Sequence, residues 1–340
     1  MMQRITWIDN CKALAIVLVA LGHLQSIYLV SEVIFAFVLP VFFFLSGWTF
    51  GSSATMPFGK MLLKKVRTLL VPYFGFSAIL FAFWFFVRRN FGLSGHAADT
   101  SVSDALLQIL YGVNSEIFVT PLWFLTCLFV VEIAFWILLR LRNKFLIASV
   151  VVSLFVYGIF YWTYMDIRHF PHAVWNVDQA CFYLFFFLTG FVFSRCNLVE
   201  RILNSKGRSC AFVAVSAIIF ALAFWLRDHA SATWEYLLMQ TLMCNAGLIG
   251  FVSLCNMIPG NRVLDFLGQN TLTIFALHMM VQAILIGATV SLFRMDVGYL
   301  HSSLLVCVPL TLVSLVILVP EILFINRFIP WLAGKRQSRQ

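Results

Sequence analysis

Ten apolar runs, each near the ~20 residues a helix needs to cross a bilayer, succeed one another along this chain. They fall near 12–30, 32–50, 69–87, 122–139, 145–162, 177–194, 209–226, 235–257, 269–291 and 302–325. The runs are continuous and lack the period-two alternation of barrel strands. In lipid every backbone polar group must be satisfied within the protein, so such runs become helices. Composition agrees: 340 residues are 62% hydrophobic and 11% charged, with a mean hydropathy of +0.94. A soluble fold of this length could not cover its surface with so few charges. The expected fold class is an all-α polytopic membrane protein, a bundle of about ten transmembrane helices forming one integral-membrane domain over residues 1–340. The first run lacks a small-x-small cleavage site, so no cleavable signal peptide is expected.

The formal charge of +9 invites a nucleic-acid reading, but topology explains it better. With both termini placed in the cytoplasm, 17 Lys and Arg fall on the inner side and 5 on the outer. A missed or spurious helix would invert every later loop and erase that asymmetry. Ten spans, both termini inside, membrane lipid as surroundings and no nucleic-acid partner is the resulting expectation. The eight cysteines stand singly, without CxxC or ligand spacing, so neither a disulfide nor a metal site is expected.

The longest connection, 88–121, falls outside and contains VSDALLQILYGV, where Ser103 is a candidate cap for a short interfacial helix. Pro40, Pro309 and Pro320 lie inside spans and suggest kinks. No internal repeat of the kind found in inverted-repeat carriers is evident.

Ionisable groups inside membrane helices are costly and need a packing or functional reason. They are Lys12, His23, Glu132, His278 and Glu321. Lys12 and His23 are eleven residues apart, close to three turns, so they share a face about 16 Å apart. Lys12 also fits snorkelling beside Asp9, and His23 fits a hydrogen bond to a neighbouring helix. His278 lies about two turns beyond Asn270 and Thr271, which mark a helix start. The two histidines either converge on one cavity or serve as structural donors. Glu132 is expected to pair with a cation in the bundle, and Glu321 to snorkel. A basic cluster, FGKMLLKKVRTLLVPY, puts Lys64 and Arg67 on one side of the helix entering the third span. It reads as a topology signal with anionic-lipid contact, or as a clamp for a phosphorylated ligand.

Taken in order, these segments resemble the membrane acyltransferase-3 family, in particular its fucose 4-O-acetylase-like branch. WIDNCKALAIVLVALGHL is similar to the family's opening signature, a basic residue eleven positions before a histidine, here Lys12 and His23. LPVFFFLSGWTF resembles the second-helix motif, KKVRTLLVPY the basic motif, and PLWFLTCLF and LGQNTLTIFALH later landmarks around Trp123 and ending at His278. Lysine replaces the usual arginine at 12 and 64. The Ser-Leu-x-x-Glu stretch that follows the tryptophan in many members is absent, so no catalytic role is carried to Glu132.

The resemblance implies an O-acyltransferase of a bacterial inner membrane. It would move an acyl group, most often acetyl from acetyl-CoA, to a hydroxyl of an envelope carbohydrate or glycolipid without a metal. His23 would be the general base, since imidazole suits the removal of a hydroxyl proton near neutrality. An acetyl-histidine intermediate is the variant mechanism. Lys64 and Arg67 would hold CoA phosphates, with Lys12 between that clamp and the reaction centre. Trp123, His278 and Asn270 would contact substrate, Trp123 being read equally as an interfacial anchor. A carrier for a sugar, lipid or organic ion, and a non-catalytic scaffold of a glycan-assembly complex, are the competing readings.

Overall fold

In the computed structural model, residues 5–89, 100–112, 121–164 and 173–335 are described. All regular structure among them is helical. We number the principal helices α1 (Thr6–Leu24), α2 (Tyr28–Thr49), α3 (Phe58–Arg88), α4 (Val102–Tyr111), α5 (Trp123–Leu138) and α6 (Lys144–Tyr164). There follow α7 (Val177–Cys196), α8 (Lys206–Asp228), α9 (Thr233–Met257), α10 (Arg262–Gln269), α11 (Thr271–Phe293) and α12 (Leu304–Phe328). Ten of these, all but α4 and α10, are long and apolar enough to cross a membrane. The protein is a polytopic α-helical membrane protein.

The third span begins earlier than its hydropathy suggests. Helix starts at Phe58, and the polar, cation-bearing first two turns run into the apolar segment without a break. A π-helical turn at Val66–Leu70 forms this junction, with the Val71 N–H donating to Val66 O. Pro72 is its cause: proline has no N–H and its ring collides with the carbonyl four residues back, here Thr68 O, and a wider turn relieves both problems.

The cap of α4 also differs from expectation. Ser101 is the N-cap, its Oγ accepting from Asp104 N at 3.0 Å, while Ser103 only shares a 2.8 Å hydroxyl contact with it. Ser101 has the extended backbone a cap needs, whereas Ser103 already lies within the helix. α4 buries Ala105 against Trp84 and exposes Leu106, Leu107 and Leu110, as an interfacial helix does.

α1 is the axis of the bundle. It touches α2, α9, α10, α11 and α12, and its buried side is made of small residues such as Ala13, Ala15 and Ala20. Asn10 Nδ2 donates to Ile258 O at 2.8 Å and Cys255 O at 3.3 Å, tying α1 to α9. At Gly268 a Cβ would stand 2.5 Å from Asp9 O, so α10 rests directly on the α1 backbone. α2 and α7 cross with equal intimacy. A Cβ on Gly47 would lie 2.0 Å from Phe187 O, and one on Gly190 would lie 1.9 Å from Phe44 O.

Candidate active site

His23 and His278 come together at the α1–α11 contact. His278 Nε2 lies 3.4 Å from His23 Nδ1, the ring centroids are 5.2 Å apart, and His278 is fully buried. Carbonyl oxygens only accept, and this sets the tautomers of the neutral rings. His23 Nδ1 is 2.9 Å from Val19 O, so that nitrogen carries the proton. His278 Nδ1 lies 3.0 Å from both Ile274 O and Phe275 O and is protonated for the same reason. His278 Nε2 is then a lone-pair acceptor beside the His23 Nδ1–H, and His23 Nε2 keeps a free lone pair. One helical turn further on, Gln282 Nε2 donates to Ala20 O at 2.8 Å and locks α11 against α1 at this height. Gln282 carries no charge and so gives no cost signal in the sequence, although its position four residues after His278 puts both on one face.

Phe35 covers His23 edge-on, with centroids 5.2 Å apart and planes at 70°. Gly22 makes this contact fit, since a Cβ there would meet Phe35 Cζ at 2.8 Å. Phe35 also lines a cavity of about 140 Å³ bounded by Pro40, Phe182, Tyr183, Tyr236 and Gln240. Beside it Arg227 is buried on Glu32 (2.7 Å), Asp228 (2.9 Å) and Gln240 (3.3 Å).

On the other side of the pair, Phe275 stands 6.4 Å from the His278 centroid and lines a second cavity of about 300 Å³. Lys12, Phe42, Ser46, Phe124 and Gln269 also line it. Phe124 touches both Phe42 (5.9 Å) and Phe275 (5.3 Å), so the three rings form one aromatic wall of this cavity. A third cavity, about 760 Å³, is lined by Lys60, Lys64, Arg67, Thr68, Trp331 and Lys335 among others. It adjoins the second across the Val66–Leu70 turn and the start of α11, where Leu69 and Leu272 face one cavity and Arg67 and Thr68 the other.

The sequence-derived candidates therefore fall into groups. His23 and His278 form the pair, Lys12 lines the middle cavity, and Lys64 and Arg67 line the large basic one. Lys64 Nζ is also held by Ser53 Oγ at 2.9 Å, while Arg67 is exposed. Asn270 is buried and its amide is engaged: Nδ2 donates to Phe266 O, and Oδ1 accepts from Asn326 and Lys335, both at 2.8 Å. Trp123 begins α5 and sits 6.3 Å from Tyr183, a wall of the smallest cavity. Glu132 pairs with Lys65 at 2.7 Å, so one cation of the basic motif turns into the bundle.

Fold and site together define a polytopic membrane protein whose His23–His278 pair borders, across one phenylalanine each, an aromatic pocket and a cavity lined by Lys12. A family model described as an acyltransferase domain, the acyltransferase-3 family, matches residues 5–319, and the chain belongs to that family. It is a membrane acyltransferase. No curated protein and no solved structure matches the chain.

Proposed function

We propose that the protein transfers an acetyl group from acetyl-CoA to a hydroxyl of a cell-envelope carbohydrate or glycolipid. The observation that carries this reading is the pinned His23–His278 pair, one phenylalanine away from a cavity on either side. The basic end faces the cytoplasm, in keeping with the 17-to-5 division of cations. There the phosphates of CoA meet Lys64 and Arg67. The acyl-bearing arm runs past Lys12 toward the pair, and the acceptor hydroxyl approaches from the Phe35 side.

His23 Nε2 takes the hydroxyl proton as the oxygen attacks the thioester carbonyl carbon. The imidazolium so formed gives its Nδ1–H to Val19 O and His278 Nε2, which disperses the new charge. The tetrahedral adduct collapses, the C–S bond breaks, and the proton passes from His23 to the departing thiolate. The order of the motifs supports the fucose 4-O-acetylase-like branch, hence a sugar acceptor, in a bacterial cytoplasmic membrane.

The test uses purified protein in nanodiscs with acetyl-CoA radiolabelled in the acetyl group and an envelope-glycan fraction. Label entering glycan with wild-type protein but not with His23→Ala supports the reading. Label transferred equally by both proteins removes His23 from the chemistry. Absence of label with an active, folded preparation overturns the donor–acceptor assignment.

A further inference from the structure

The large basic cavity has a wall that the acyltransferase match does not include. That match ends at 319, whereas Trp331, Gly334 and Lys335 line the cavity opposite Lys60, Lys64 and Arg67. After α12 the chain makes a 3-10 turn, Pro330–Ala333, whose Leu332 is buried against Gly75. A side chain at 75 would begin 2.4 Å from Leu332 Cδ1, so the glycine makes room for the anchor. Gly334, at φ +67°, reverses the backbone, and the Lys335 N–H closes on Pro330 O at 2.9 Å. The segment is thus fixed at both ends, with Trp331 half exposed at 50%.

Lys335 is held in an unusual way. Its Nζ donates to Asn270 Oδ1 at 2.8 Å and Asn326 Oδ1 at 2.7 Å. Both acceptors are neutral amides, so among the described residues the ammonium is positioned without a carboxylate partner and with one of its three N–H groups still to give. The cavity lining holds four cations and, among the described residues, no carboxylate. Burial lowers the Lys335 pKa below the ordinary lysine range, a cost that a bound anion offsets. A volume of about 760 Å³ is in the range of cofactor pockets, and a flat indole face beside four cations suits an aromatic base carrying several phosphates.

We infer that Trp331 and Lys335 complete the CoA nucleotide site, Trp331 against the adenine and Lys335 on a phosphate. This inference rests on the acyl-CoA reading above. An anionic lipid headgroup would share the phosphate chemistry but offers no base for Trp331.

The full-length protein, in nanodiscs of zwitterionic lipid, is titrated calorimetrically with desulfo-CoA, which binds without reacting. Lys335→Met and Trp331→Leu should each weaken binding ~10-fold or more, the loss expected for a charge-assisted hydrogen bond or a stacking face. Asn326→Asp is the decisive variant. It keeps the shape and gives Lys335 a carboxylate partner, so a purely structural lysine would hold the tail as well or better. A phosphate-binding lysine would lose its charge to the new neighbour and bind desulfo-CoA more weakly. Wild-type binding that all three variants retain overturns the inference and leaves the acyl-CoA reading intact. Failure of the folded wild type to bind desulfo-CoA overturns that reading itself. Binding that phosphatidylglycerol added to the nanodiscs displaces in wild type but not in Lys335→Met reassigns Lys335 to lipid and likewise overturns the inference.

Discussion

At the scale of single residues, the histidine pair and the Lys65–Glu132 pair make opposite demands on burial. Each histidine gives its Nδ1–H to helix carbonyls, so as a neutral ring it needs no counter-charge. Replacing His23 with alanine removes the proposed base but leaves a small cavity in a bundle held by many other contacts. Transfer should fall ~10²–10⁴-fold with the detergent melting temperature little changed. His278→Ala should cost less, because Val19 O still holds His23 Nδ1. A base acts only when unprotonated, so transfer is present above the His23 pKa and is lost as pH falls through it. An acid limb in the wild-type pH profile that is missing from the residual His23→Ala activity would check this. Lys65 and Glu132, by contrast, are 11% and 5% exposed and form an ion pair at 2.7 Å. Glu132→Gln strands the ammonium and should destabilise the fold by ~3–5 kcal/mol. The double variant Lys65→Met/Glu132→Met should recover most of that in thermal unfolding. If the single variant melts like wild type, the pair is not the buried ion pair described.

At the scale of helices, the close approach of α2 and α7 explains a motif that was legible in the sequence without its reason. Ser46-Gly47 closes the second-helix motif, and the cause is that Gly47 meets the backbone of Phe187. Its counterpart Gly190, against Phe44 O, left no signal, because nothing in FFFLTGFVF says which helix will lie across it. Gly190→Ala must separate two backbones and not merely displace a flexible side chain. A loss of at least the ~1–3 kcal/mol typical of overpacking is expected, with transfer reduced because α2 carries both Phe35 and Phe42. Melting in detergent and the acetyl-transfer assay measure the two effects separately. The ten spans were readable because each comes close to the ~20 apolar residues that a bilayer demands. The helix entering the third span was readable from its basic cluster but not from hydropathy, and the short α10 was not readable, since its polar and apolar residues average to nothing. Likewise the two histidines were visible as costly groups, and their convergence was one of two open readings. Which reading holds depends on how α11 packs on α1, where Gln282 bonds Ala20 O, and no local pattern encodes that.

For the molecule as a whole, two cavities border the histidine pair, each across one phenylalanine: the middle cavity across Phe275 and the small pocket across Phe35. With the proposed thioester donor, water must be kept from the proposed base until the acceptor arrives, and Phe35, edge-on to His23, would do so. Phe35→Ala should join the small pocket to His23 and let water replace the acceptor hydroxyl. The expected result is acetate and CoA released without glycan, while transfer to glycan falls. Thiol release from acetyl-CoA, measured with and without acceptor, reads this coupling directly. Phe35→Leu, which keeps bulk without the ring, should leak less than alanine. The same geometry predicts sidedness. In sealed vesicles of known orientation, acetyl-CoA should be consumed only from the side where a cysteine replacing Lys60 reacts with an impermeant maleimide, and glycan should be modified only from the side where one replacing Tyr299 reacts. Were a single face to accept both substrates, the histidines would need a route past only one of the two phenylalanines. The other cavity would then be a packing defect, and Phe35→Ala or Phe275→Ala, whichever borders that cavity, would leave the coupling untouched.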